Sequence, residues 1–182
     1  MPRVPAVRTY LRMSAAADLR PRRRDEPGLV LERLASCSAA DYRVLYRDVG
    51  NAWHWHDRDA WSDERLAVHL RRDGVSVHVL REKGELAGYF ELERHASGVV
   101  DIVYFGLVPS AIGRGLGAHL LTVAVEEAWR DGAAAVCLNT CTLDHPNALA
   151  NYRARGFSVV REEMYEQEFP ASAAGGGERH GS

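Results

Sequence analysis

The sequence predicts a single α/β domain of the α+β type, with a mixed, mostly antiparallel central sheet and helices on both faces. Three observations predict it. Residues 75–108 hold three β-type runs separated by tight turns, which make a meander. A glycine-rich turn then opens a strongly amphipathic helix, LGAHLLTVAVEEAWRDG, ended by Gly132. The strand after it, 134–140, must run parallel to the last strand of the meander, because a helix makes the crossover. At 182 residues the chain has the size of one domain with a real core.

Each element follows in order. AVRTYLRM (6–13) forms a first strand, and the arginine-rich stretch 14–28, ending in Pro27-Gly28, forms a loop. GLVLERLA (28–35) is a short second strand. Ser38 caps a helix reaching Val49, with Tyr42, Leu45, Tyr46 and Val49 on one face. Ser62 caps a second helix, whose Asp63 and Glu64 suit the positive end of its dipole. Arg65 stands where a capping box would need Glu or Gln. VSVHVLRE (75–82), LAGYFELER (86–94) and VVDIVYFGLV (99–108) are the meander, the last apolar enough for a central strand. HPNALANYRARG is a short helix and FSVVREEMYEQEF a long final strand, which completes the order ββααβββαβαβ. The domain spans 1–170, and the glycine-rich stretch 171–182 is expected to be a disordered tail.

The 23 basic and 25 acidic residues nearly cancel, leaving a net charge of −2. That excludes a dedicated nucleic-acid binder, which needs a basic face. Arg20, Arg22, Arg23 and Arg24 are a local exception, read as a solvated loop or a contact to phosphate or an acidic ligand. Cys37, Cys137 and Cys141 form no even framework. The last two lie on one strand, at about 3.3 Å per residue too far apart for a disulfide. All three are expected to be reduced, in a cytoplasmic protein. No run of 18 apolar residues suggests a membrane span, and no apolar N-terminal stretch suggests a signal peptide.

The glycine turn runs Pro109-Ser-Ala-Ile-Gly113-Arg-Gly115-Leu-Gly117-Ala. Closely spaced glycines at a helix N-terminus let several N–H groups converge, and the helix dipole adds positive charge, so the turn suits a phosphate. A Walker A loop would need Lys and Ser or Thr where Ala118 and His119 stand. A dinucleotide fingerprint fits Gly113, Gly115 and Ala118, but it should open a run of βαβ units with an acid ending the next strand. A turn without a ligand is the remaining structural alternative.

From Val75 to Phe157 the chain resembles the GNAT superfamily of acetyl-CoA-dependent N-acetyltransferases. Its coenzyme loop has the form (Arg/Gln)-x-x-Gly-x-(Gly/Ala), and Gly115 and Gly117 fit it, with Ile112 a departure at the head. The family's Tyr-x-x-x-Gly-Phe signature matches Tyr152, Gly156 and Phe157, with Ala148 at its alanine and His145 where asparagine is frequent. The resemblance implies acetyl-CoA as co-substrate, no metal, and direct attack of an amine on the thioester. It places the family's strand bulge near Gly106, Leu107 and Val108, where an N–H of Leu107 or Val108 would polarise the thioester carbonyl. The amides of Gly113, Arg114, Gly115, Leu116, Gly117 and Ala118 would take the pyrophosphate, with Arg114 replacing the charge missing at Ile112. His145 would bond the coenzyme or simply begin its helix.

Asp101 stands where histone-acetylating members carry a glutamate and is the first candidate base, with Glu91 and Glu93 as alternatives. Tyr152 would protonate the leaving thiolate, or pack beneath the coenzyme. Cys137 or Cys141 as an acetyl carrier is the ping-pong alternative.

NAWHWHDRDAW (51–61) carries three of the four tryptophans and falls at the acceptor side of this fold. Trp53, Trp55 and Trp61 read as a pocket wall or as core, with His54, His56, Asp57 and Arg58 as polar contacts for an acceptor. His54 and His56, with Asp57 or His69 as possible further ligands, show no Cys or Glu-x-x-His pattern that would support a zinc site. The expected acceptor is a small-molecule amine, with no nucleic-acid or membrane partner and a homodimer left open. A protein or peptide acetyltransferase and a non-catalytic acyl-CoA sensor are the rivals.

Overall fold

The computed structural model of the protein describes residues 3–168, so the expected tail lies outside the described residues. The elements are β1 (Arg3–Met13), β2 (Leu29–Arg33), α1 (Ala39–Gly50), α2 (Asp63–Leu70), β3 (Val75–Glu82), β4 (Glu85–Arg94), β5 (Val99–Leu107), α3 (Leu116–Arg130), β6 (Ala135–Cys141), α4 (Ala148–Ala154) and β7 (Ser158–Glu168). The strands form one seven-stranded sheet in the order β2-β3-β4-β5-β6-β1-β7. The single α/β domain, the mixed sheet and the element order are those expected.

Local chemistry accounts for the elements. The Ser38 hydroxyl accepts from the Asp41 N–H at 3.1 Å, and the Ser62 hydroxyl from the Arg65 N–H at 3.2 Å, so α1 and α2 start where their caps stand. Tyr42, Leu45, Tyr46 and Val49 are buried on α1. On α3, Leu116, Leu120, Leu121, Ala124, Val125 and Ala128 make a continuous buried stripe at helical spacing. The core lies between these faces and β3–β6, around Tyr89, Phe90, Leu92, Val100 and Leu138.

Every strand pair is antiparallel except β5–β6. That pair is also the shortest, joining only Val99, Val100 and Asp101 to Ala135, Val136 and Cys137. Past Asp101 the two strands part. β1 starts at Arg3, earlier than expected, and lies between β6 and β7. Pro5 sits where β1 pairs with β7 alone, since the β6 register begins at Arg8, so its missing N–H costs no second ladder bond.

The arginine stretch is not a free loop. Arg20 donates its N–H to the Arg155 carbonyl at 2.9 Å, Arg22 to the Thr122 hydroxyl at 2.9 Å, and Arg24 to His119 Nδ1 at 3.1 Å. These ties lay the segment along the N-terminal half of α3.

Candidate active site

The parting of β5 and β6 opens a cleft of about 670 Å³. Val103 to Leu107 line one side, and Leu138, Asn139 and Cys141 the other. In the β4–β5 ladder the N–H of Val108 donates to the Ala87 carbonyl at 2.9 Å. Antiparallel alternation then turns the N–H groups of Phe105 and Leu107 to the opposite edge, toward the gap. The Leu107 N–H is therefore directed at the gap, whereas that of Val108, the other expected donor, is already used in the ladder. The ladder irregularity is also displaced. It falls at Val103, between the pairs Glu91–Tyr104 and Leu92–Ile102, not at Gly106–Val108.

One end of the cleft is the glycine loop, where Gly113, Gly115, Gly117 and Ala118 line it. Gly113 and Gly115 have φ of 79° and 77°, values that favour glycine. A Cβ added at Gly113 would meet nothing within 4 Å, so the loop's backbone lies open. Unlike α1 and α2, α3 has no side chain capping its N-terminus. Its first N–H groups, Leu116 to His119, have no partner in their own helix, and the dipole reinforces them. These residues fit a pyrophosphate. The Leu116 side chain itself is in the core.

Two arginines flank this loop. Arg114 does not line the cleft, because its guanidinium is held by Glu82 on β3. Arg24, itself paired with Glu26 and likewise outside the cleft lining, approaches the loop backbone. Its Nη1 donates to the Arg114 carbonyl at 2.6 Å and lies 3.0 Å from where a Cβ of Gly115 would sit. The arginine-rich composition of 20–24 was the signal, but only the fold shows which arginine reaches the loop.

Tyr152 of α4 lines the cleft, 7% exposed, with its ring edge-on to Phe105 at 6.0 Å and to Phe157 at 6.4 Å. Among the described residues its hydroxyl takes no hydrogen bond. Burial, with the charge of Asp144 beside it, pushes the phenol well above its ordinary range and keeps it protonated. His145 lines the cleft as well. Its Nδ1 accepts from the Asn147 N–H at 3.0 Å, which places the proton of the neutral ring on Nε2.

The tryptophan segment divides. Trp53 and Trp55 line the cleft together with His54 and Asp57. Trp53 meets His145 across the cleft, ring centroids 5.0 Å apart, which narrows the acceptor side. Trp55 is wall and core at once. It packs on Tyr46 and Tyr104 at 5.6 and 5.0 Å, in space left by Gly50, where a Cβ would lie 2.4 Å from the indole. Gly50→Ala is therefore expected to displace Trp55 and lower the melting temperature; an unchanged melt would mean that the loop tolerates the shift. Trp61 is outside the cleft, packed under Arg58 and Arg65 at 3.9 and 4.0 Å.

Several expected site residues are elsewhere, for physical reasons. Glu91 is fully buried, and its carboxylate accepts from Arg58 Nη2 at 3.0 Å, from His69 Nε2 at 2.6 Å and from the Tyr42 hydroxyl. It is a structural ion and not a base facing an acceptor. Arg58, 5% exposed, is its counter-ion and does not reach the cleft. His56 pairs with Asp59 at 2.9 Å outside it. Asp101 lies in the paired segment before the strands part and is bonded to His95 at 2.7 Å. Glu93 pairs with Arg72 at 2.6 Å. The cleft's own carboxylates are Asp57 and Asp144. Asp144 already accepts from the Thr140 hydroxyl at 2.6 Å and the Cys141 N–H at 2.9 Å.

The sequence model of the acetyltransferase (GNAT) family matches residues 40–157. The chain belongs to this family. A mycothiol acetyltransferase of Corynebacterium efficiens is 30% identical over 123 residues, covering 64% of this chain and 40% of that protein. An S-alkylcysteine N-acetyltransferase of Bacillus subtilis is 29% identical over 114 residues, covering 57% of this chain and 64% of that one. The chain thus spans about two fifths of the first relative and under two thirds of the second. Among solved structures, a GCN5-related N-acetyltransferase from Sphaerobacter thermophilus shares the fold. Its TM-score is 0.66 at 17% identity, covering 89% of this chain and 51% of that one. Among the described residues no helix is long and apolar enough to cross a membrane.

Proposed function

We propose that this GNAT domain transfers acetyl from acetyl-CoA to the amine of a small molecule. One observation carries the proposal: a single cleft runs from the uncapped N-terminus of α3, between the parted strands, to the wall made by Trp53 and Trp55. The loop amides and Arg24 hold the pyrophosphate, and the gap between β5 and β6 takes the pantetheine arm. The Leu107 N–H polarises the thioester carbonyl. The acceptor nitrogen attacks that carbon, the C–S bond breaks, and the Tyr152 hydroxyl shares its proton with the departing sulfur as negative charge develops there. Asp57, whose carboxylate has no hydrogen bond among the described residues, receives the acceptor's ammonium at the tryptophan wall and takes its proton through water.

The contact between Trp53 and His145 supports a small acceptor, since a protein lysine needs an open groove. The names of the mycothiol and S-alkylcysteine relatives agree with that class. Calorimetry with acetyl-CoA, followed by a free-thiol assay over a panel of small amines and lysine peptides, tests the reading. Binding with thiol release on small amines supports it. Release only on peptides, or binding without release, replaces it with the peptide enzyme or the sensor.

Arg24 has its own test. Arg24→Ala removes a charge-assisted contact at the loop, so the acetyl-CoA Kd is expected to rise about tenfold. The difference from the parent protein should shrink with added salt. An unchanged Kd would leave Arg24 as a tie between segments and nothing more.

A further inference from the structure

Arg8 is a cation that the cleft leaves without an anion. It is half-buried on β1 and lines the cleft beside Tyr165, over whose ring its guanidinium stacks at 4.5 Å. Among the described residues it makes no ion pair. Its register partner on β7, Glu163, is taken by the Tyr10 hydroxyl at 3.0 Å and by Arg161 at 3.5 Å. Its described neighbours there, Tyr10 and Tyr165, are phenols and not carboxylates, so the partly buried charge is left for a ligand's anion to meet. Its flat, forked donors match a carboxylate in particular.

Strand alternation fixes the side from which Arg8 acts. On β1, Thr9, Leu11 and Met13 register with Thr140, Leu138 and Val136 and are buried on one face of the sheet. Arg8 registers with Cys141, and Tyr10 with Asn139, so these four share the other face. On that second face, farther along the sheet, Glu91 meets Tyr42 of α1, and Tyr104 meets Tyr46 of α1. The loop that follows α1 brings Trp53, Trp55 and Asp57 to the same cleft. Arg8 therefore belongs with the tryptophan wall, on the acceptor's side.

We propose that Arg8 binds the carboxylate of the acceptor, and that the acceptor is an α-amino acid with an apolar side chain. Arg8 takes the carboxylate, Asp57 the ammonium, and the indoles of Trp53 and Trp55 the side chain. The proposal rests on acetyl transfer to a small amine as the reaction, and adds the acceptor's second charged group.

The test compares L-methionine and S-methyl-L-cysteine with their carboxamides and their decarboxylated amines, by thiol release, in the parent protein and in Arg8→Gln and Arg8→Lys. The acids should exceed the carboxamides in kcat/KM by about ten- to a hundredfold, the worth of a charge-assisted pair. In Arg8→Gln that ratio falls toward one, chiefly through KM, while Arg8→Lys keeps part of it. A ratio cancels any general loss of activity, and thermal melts confirm that the variants fold. Equal rates for acid and amide in the parent protein, or an unchanged ratio in Arg8→Gln, overturn the proposal while leaving acetyl transfer intact. If no acceptor releases thiol, acetyl transfer itself fails. Calorimetry of the coenzyme-loaded protein with L-methionine and its amide then decides the role of Arg8. A preference for the acid that Arg8→Gln abolishes upholds it, and equal binding or no binding overturns it.

Discussion

Arg58→Ala is expected to destabilise the domain by about 3–5 kcal/mol, because it leaves the Glu91 carboxylate as an uncompensated buried charge. Glu91 is 0% exposed, and Arg58 and His69 are 5% and 7%. The cost of hiding the Glu91 and Arg58 charges is already met in the folded protein by three groups, Arg58, His69 and Tyr42, meeting at one carboxylate and by the Arg58 guanidinium stacked on Trp61. Removing one partner forfeits the attraction and keeps the desolvation. For a domain of this size each kcal/mol shifts the melting temperature by about 2–4 °C, so a fall of roughly 6–20 °C should be measured. The double variant Arg58→Met with Glu91→Gln should melt well above the sum of the two single losses, since it removes both charges together. A melt of Arg58→Ala within 2 °C of the parent would mean that Glu91 is not a buried ion. There is a functional corollary. The Arg58 guanidinium, bonded to Glu91 and stacked on Trp61, pins the tryptophan loop to the core, a tie the variant loses while the backbone N–H bond to the Tyr46 hydroxyl remains. The acceptor's KM should rise in Arg58→Ala more than that of acetyl-CoA.

The same residue shows where sequence reasoning stopped. An arginine amid tryptophans and histidines reads as a polar contact for a substrate, and nothing local says that it turns inward. Its partners, Tyr46, His69, Glu91 and Tyr104, are scattered over four elements, α1, α2, β4 and β5. Glu91 is the mirror case. Alternation correctly put Glu91 and Glu93 on one sheet face, but whether a helix covers that face at a given residue is decided by how α1 and α2 dock. The elements themselves were legible because their signals are local: the serine caps of α1 and α2, the stripe of α3, the alternating meander. The strand order was less so. β1 inserts between β6 and β7, and such non-local pairing leaves no short-range mark in the sequence. The glycine loop was legible as an open turn at a helix N-terminus, yet the guanidinium that bonds its backbone is that of Arg24, about ninety residues away in the chain, and not that of the neighbouring Arg114.

Opposite-sided delivery follows from the one weak point in the sheet. The β5–β6 pair closes only three residue pairs and then parts, so the cleft reaches residues of both sheet faces, Leu138 on one and Asn139 on the other. In the proposed reaction the phosphates lie at the N-terminus of α3, and the acceptor lies between the α1–α2 loop and β1. Each substrate then has its own entrance, and the two are proposed to meet beside Leu107 and Tyr152, which both line the cleft.

Tyr152→Phe then isolates one atom. The ring contacts with Phe105 and Phe157 survive, and the hydroxyl it removes has no protein partner among the described residues. Stability should be unchanged or slightly higher, and acetyl-CoA affinity close to that of the parent. Turnover should fall by about a hundredfold or more, the scale of a lost general acid. A thiol is ordinarily near pKa 8.5, and burial holds the Tyr152 phenol above its usual 10. Full proton transfer to a free thiolate would run uphill, so the hydroxyl acts by sharing its proton with the sulfur as the C–S bond breaks and charge develops. Tyr152 also stays protonated through the alkaline range. Any loss of rate between pH 8 and roughly 10 therefore belongs to another group, and the same limb should persist in Tyr152→Phe at the lower rate. Turnover within twofold of the parent would show that sulfur departs unaided and that Tyr152 packs beneath the coenzyme. A lower rate accompanied by an equal loss of coenzyme affinity would make the hydroxyl a binding contact instead of an acid.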